Sequence, residues 1–113
     1  MQIEIRGRAV ELTQPIKEHV ERRLSFALGR FGTQVRSARV RLEDLNGPKG
    51  GLDKRCRVTL SGDLIGQSFV EATDADLYTA IDRAAGAAGR AVSRSLERAN
   101  DWQPTPPSRG VAA

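Results

Sequence analysis

Two periods of hydrophobicity take turns along this chain. Gln2-Ile3-Glu4-Ile5-Arg6 is apolar at every second position, the pattern of a half-buried strand, and turns through Gly7 and Arg8 towards Thr13. The spacing then becomes helical. Ile16, Val20, Leu24, Ala27, Leu28 and Phe31 recur on one face, Thr13 caps the start, Pro15 sits in the first turn, and Gly29 and Gly32 weaken and end the helix. Alternation returns from Val35 to Leu45, with Ala38, Val40 and Leu42 on one side and Arg39, Arg41 and Glu43 on the other. Asn46-Gly47-Pro48-Lys49-Gly50-Gly51 is a turn cluster. Beyond it Arg55 and Arg57 alternate with Cys56, Val58 and Leu60 in a third strand, forming a hairpin with the second. Ser61-Gly62-Asp63 makes another tight turn, and Gln67 to Ala72 a fourth strand with Val70 and Ala72 inward. Phe69 fits that register poorly, and its direction stays open.

A second helix opens at Thr73-Asp74-Ala75-Asp76. Thr73 is the expected cap, Asp76 reciprocates three residues later, and Asp74 and Asp76 suit the positive end of the helix dipole. Leu77, Ile81, Ala84, Ala85, Ala88, Val92, Leu96 and Ala99 share one broad face, as in a helix packed on a core. On the far side Arg83, Arg90, Arg94 and Arg98 lie within about 80° of one another on a helical wheel. Residues 101–113, with Pro104, Pro106 and Pro107, have neither period nor enough apolar content to fold, so a flexible tail is expected there, its root pinned by Trp102.

The order strand, helix, three strands, helix predicts an α+β two-layer sandwich over residues 1–100. A right-handed crossover joins two parallel strands, a meander follows, and both helices cover one face of a four-stranded sheet. The other sheet face is left exposed, carrying Arg6, Arg39, Arg41, Arg55 and Arg57 with Glu4 and Glu43 among them. A solvated face relieved by neighbouring acids is the expectation for it.

Charge then separates the two sides of the first helix. Arg22, Arg23 and Arg30 lie to one side of its apolar stripe, Glu18 and Glu21 to the other, whereas a merely solubilising face more often mixes signs. The chain of 113 residues has a net charge of +4 and a pI near 10.0, with 15 arginines against Lys17, Lys49 and Lys54. Arginine is the better fork for phosphate, although late arginines also complement a negative helix end and a codon bias would raise their number everywhere.

Other classes lose ground on the same reading. No apolar run approaches the roughly 20 residues of a membrane span, Glu4 and Arg6 interrupt any signal peptide, and a cytoplasmic address is expected. Cys56 is the single cysteine and reads as a small buried hydrophobe. His19, the one histidine, has no nucleophile beside it and reads as a boundary residue. No Walker loop, paired cysteines or metal-spaced cluster occurs, and Asp74, Asp76 and Asp82 are better explained by capping and dipole than by a cation. No enzyme, cofactor, metal or small-molecule substrate is expected. Aromatics at 4% offer no stacking platform, so single-strand base recognition is not expected either.

The opening Met1-Gln2-Ile3-Glu4-Ile5, then Glu11-Leu12-Thr13 with Ile16 and His19-Val20, and above all Asp76-Leu77-Tyr78-Thr79-Ala80-Ile81-Asp82 resemble one family. It is that of the bacterial hibernation promoting factors and ribosome-associated inhibitors, formerly called sigma-54 modulation proteins. The resemblance covers residues 1–99, and the segment from Asp76 looks like the family's signature at its second helix. It implies a stress or stationary-phase factor that enters the mRNA and tRNA channel of the small ribosomal subunit, meets 16S rRNA there and on the 70S ribosome, and halts translation. Arg90, Arg94 and Arg98 occupy positions where the family places arginine and lysine, and Arg23 matches a basic position on the first helix. With the arrangement above, the candidate RNA-binding set is Arg22, Arg23, Arg30, Lys49, Lys54, Arg83, Arg90, Arg94 and Arg98. RNA helices expose phosphates and 2′-hydroxyls, so a rigid domain with arginine rows can recognise their shape and charge.

The chain also departs from the family. Gly86, Ala87 and Gly89 stand where bulkier or basic residues are usual, lowering helix propensity and positive charge. The loop from Asn46 to Cys56 looks like that of a divergent branch. The tail is almost uncharged rather than acidic, and a short form without a dimerisation domain is expected. Whether it promotes or blocks ribosome pairing is left open. Two alternatives remain: a structured-RNA-binding module not specific to ribosomes, and a regulatory protein that binds a transcription factor.

Overall fold

A computed structural model describes residues 1–45 and 53–101. Its elements are β1 (Gln2–Arg8), α1 (Gln14–Leu28), β2 (Ser37–Asp44), β3 (Lys54–Gly62), β4 (Gly66–Asp74) and α2 (Leu77–Asp101), with a 3₁₀ segment at Gly29–Gln34. The turn cluster after Leu45, with Lys49, and the tail with Trp102 lie outside the described residues. The four strands form one sheet in the order β1-β2-β3-β4, in which β1 runs parallel to β2 and the other pairs are antiparallel. This is the α+β sandwich expected from the pattern.

Alternation decides which side chains become core. Ala38, Val40 and Leu42 from β2 and Cys56, Val58 and Leu60 from β3 are buried with Val20, Leu24 and Leu28 of α1 and Ala80, Ile81, Ala84, Ala85, Ala88 and Val92 of α2. Each large aliphatic side chain taken from water there contributes about 1.5–3 kcal/mol. Ile3, Ile5, Val70 and Ala72 pack at the margins of the same cluster. Cys56, 1% exposed, takes the role of a buried hydrophobe, and burial pushes its thiol pKa up to about 12.

Two local expectations change, and the direction left open for Phe69 is settled. α1 ends at Leu28, and Phe31 reaches the core from the 3₁₀ segment, where Gly32 adopts φ +59°, a conformation that disfavours a β-carbon. The cap of α2 is Asp76 rather than Thr73. Its Oδ2 accepts from the Thr79 backbone N–H at 3.1 Å and from the Thr79 hydroxyl at 2.8 Å, while Asp74 Oδ1 accepts from the Asp76 N–H at 3.1 Å. β4 continues to Asp74, so Thr73 is still paired, opposite Arg55, when the strand gives way to the turn. Phe69 lies opposite Thr59 and is 52% exposed, on the sheet face away from the helices.

Gly89 also has a different role from the one its composition suggests. It is buried, and a β-carbon built on it would stand 3.2 Å from the Ala27 carbonyl oxygen of α1. It lets two helices approach closely rather than leaving a basic position vacant. His19 and Arg23 meet Asp82 further back along the same two helices, so α1 and α2 run side by side in the same direction.

Candidate nucleic-acid interface

The α1–α2 junction sets where the helix arginines stand. His19 Nε2 lies 2.7 Å from Asp82 Oδ1, and the His19 ring meets Tyr78 edge-on at 4.9 Å between centroids. Arg23 Nε comes within 3.2 Å of the same carboxylate oxygen and its guanidinium lies 5.8 Å from the centre of the Phe26 ring. Arg23 is therefore partly committed to holding the helices together. Its neighbour Arg22 is exposed on the solvent side and has no acid partner among the described residues. Arg30, in the 3₁₀ segment, lies over the Phe31 ring at 4.7 Å, which fixes its stem and leaves the residue exposed.

On α2 the four-residue spacing does what a helix makes it do. Arg90, Arg94 and Arg98 are all exposed in a single column, about 12 Å long from first to last at 1.5 Å per residue. Arg90 and Arg94 have no acid partner among the described residues, and Arg98 donates to Ser95 Oγ at 3.3 Å. Glu97 is exposed on the same stretch and pairs with none of them.

Two candidates are occupied otherwise. Arg83 donates to the Thr73 carbonyl at 2.7 Å and lies 3.5 Å from Asp74 Oδ2, tying the start of α2 to the end of β4. Lys54 Nζ sits 3.0 Å from the fully buried Asp53 and 3.6 Å from Asp44, and the hydrogen bond to Asp53 raises its pKa. Both are structural cations first. Lys49 lies outside the described residues.

The sheet face away from the helices carries a second set of arginines, aligned by register. Arg6 stands opposite Arg41, Arg41 opposite Arg57, and Arg57 opposite Glu71. Acids relieve part of this charge, as the sequence leads one to expect. Glu4 accepts from Arg6 at 2.7 Å and lies 3.4 Å from Arg39, so its carboxyl is held below the usual carboxylate range, chiefly by the Arg6 hydrogen bond. Glu43, 3% exposed, accepts from Arg55 at 2.8 Å, and Glu71 lies 3.5 Å from Arg57.

Fold and charge together define a basic α+β sandwich with exposed guanidiniums on the outer side of its helix layer. The chain belongs to the family described as sigma 54 modulation protein / S30EA ribosomal protein, whose model matches residues 3–100. It is 34% identical, over an alignment 113 positions long, to the ribosome hibernation promotion factor of Deinococcus radiodurans, a match that takes in 94% of this chain and 57% of that relative. The chain thus spans little more than half the length of the curated relative. Among solved structures it is similar to the N-terminal domain of Thermus thermophilus Protein Y, with a TM-score of 0.70 and 32% identity over 83% of this chain and 98% of the other. A ribosomal subunit interface protein from Coxiella burnetii shares the fold, with a TM-score of 0.70 at 15% identity over 86% and 99% of the two chains.

Proposed function

We propose that this protein is a ribosome hibernation factor of the cytoplasm that binds the small subunit in the channel used by mRNA and tRNA. There it contacts 16S rRNA through the outer side of its helices. The observation that carries the reading is the exposed column of Arg90, Arg94 and Arg98, held on a helix whose opposite face is fixed in the core. Arg22 and Arg30 extend the charge from α1. Each guanidinium offers a planar fork to phosphate, and none of the contacts requires a base to be read. Family membership supports the ribosome as partner, and the resemblance of the Asp76–Asp82 segment supports the hibernation role.

The test is co-sedimentation with small subunits and whole ribosomes across a salt series, with free ribosomal RNA as competitor. The wild-type protein is expected to stay bound near physiological salt. Replacing Arg90, Arg94 and Arg98 by alanine should lower the slope of log affinity against log salt by about three, one per phosphate contact, without changing the melting temperature appreciably. An unchanged slope and affinity would refute the assignment of this edge.

A further inference from the structure

The open sheet face carries a feature that the helix interface does not absorb. Arg6, Arg41 and Arg57 lie directly opposite one another on three adjacent strands, a row spanning about 10 Å. Like charges placed opposite across strands repel. Arg6 is relieved by Glu4 and Arg57 by Glu71, but Arg41, between them, has no acid partner among the described residues. Six arginines point to this face (Arg6, Arg8, Arg39, Arg41, Arg55 and Arg57) against three glutamates (Glu4, Glu43 and Glu71). The next row, Glu4-Arg39-Thr59-Phe69, ends on a half-exposed ring, with the Arg57 guanidinium 5.0 Å from its centre. Glu4, Arg6, Arg39, Arg41, Arg57 and Phe69 bound a shallow concavity of about 530 Å³.

We infer that this sheet face is a second nucleic-acid site, which takes a single-stranded RNA segment with its phosphates on the Arg6-Arg41-Arg57 row and one base stacked on Phe69. The inference rests on the ribosome-binding reading for the class of ligand, and on the sheet alone for the place. A carboxylate-rich peptide would satisfy the guanidiniums but leave the Phe69 ring in water. A nucleotide chain brings phosphates and a planar base together and engages both. The exposed ion pairs of Glu4 and Glu71 are weak enough to open when phosphate arrives. Phe69 revises the expectation from composition: one ring, correctly placed beside arginines, serves one base.

The probe is a fluorescent 12-nucleotide RNA of mixed sequence without self-pairing, followed by anisotropy, beside an abasic oligonucleotide of equal length and polyglutamate of equal charge. Arg41→Thr removes the unrelieved charge and Phe69→Ala removes the ring; both side chains face solvent, so both variants are expected to fold. With the helix column silenced by alanine at positions 90, 94 and 98, three phosphates on the sheet face should give a log–log salt slope of about −2, which Arg41→Thr reduces by about 0.7. Phe69→Ala should lose about tenfold on the base-bearing strand and nothing on the abasic one. Unchanged RNA binding in both variants, equal loss on abasic strand, or polyglutamate competing as well as RNA would each overturn the inference. Both variants also go through ribosome co-sedimentation. If they still sediment while oligonucleotide binding is untouched, only the sheet site falls. If the wild type itself fails to sediment, the ribosome reading falls, and the oligonucleotide series still decides the sheet face.

Discussion

Replacing Gly86 and Gly89 by alanine, one at a time, separates helix propensity from helix packing within a single turn of α2. Alanine in a helix interior is worth about 0.8–1.0 kcal/mol over glycine. At Gly86 a new β-carbon meets only the Arg90 Nη1 at 3.5 Å, an ordinary contact with the end of a flexible side chain. The whole propensity gain should therefore appear, raising the melting temperature by about 4–8 °C for a domain of this size. At Gly89 the same atom would stand 3.2 Å from the Ala27 carbonyl oxygen and 3.7 Å from the Ala27 β-carbon. Relief requires α1 to move away from α2, so strain offsets the gain and the net change should be near zero or destabilising. Leucine at 89 should cost about 1–3 kcal/mol, the usual range for overpacking. Calorimetry and urea titration on the three variants decide the matter. A Gly89→Ala protein stabilised as much as Gly86→Ala would show that the helices do not need this close approach.

Three further outcomes follow from local contacts. Asp76→Ala should cost about 1 kcal/mol in urea melts through loss of the α2 cap, while Thr73→Ala should stay within about 0.5 kcal/mol; the reverse order would restore Thr73 as the cap. Asp82→Ala removes the common partner of His19 and Arg23 and should destabilise by about 1 kcal/mol, a modest value because the carboxylate is partly exposed. Cys56 should resist a thiol reagent at pH 8 until the protein unfolds, and rapid labelling of the native state would refute its burial. Its folded pKa of about 12 lies above the roughly 8.5 of an unfolded cysteine, so stability is unaffected below about pH 8.5 and falls as pH rises towards 12.

The fold was legible because its core depends on parity. Ala38, Val40 and Leu42 against Arg39 and Arg41 allow only one register facing the helices, and Ile16, Val20 and Leu24 only one helix face. Contacts between distant residues were not legible. Asp82 reads as a surface acid until α1 brings His19 and Arg23 to it, and Gly89 reads as a weak helix former until Ala27 lies beside it. The candidate site divides along the same line. Arg90, Arg94 and Arg98 follow from four-residue spacing alone, whereas the engagement of Arg83 by Thr73 needs the turn from β4 to α2, and that of Lys54 by Asp44 the pairing of β2 with β3. Alternation alone placed Arg6, Arg41 and Arg57 on the open sheet face, but their alignment in one row required the pairing of three strands.

The helix column and the sheet row lie on opposite layers of the sandwich, with the buried core between them. No single RNA duplex lying against one face reaches both, so a domain using both must sit between separate RNA segments, as it would in a channel. This gives the two readings a joint consequence. Sites on opposite layers that share no partner contribute independently, so the losses of ribosome affinity in the Arg90/Arg94/Arg98 triple variant and in Arg41→Thr should add in the combined variant, within about 0.5 kcal/mol. Their salt slopes should add as well, because each surface releases its own counterions. A combined variant no worse than the triple would mean that the sheet face points into solvent on the ribosome, leaving the helices to hold the protein there alone.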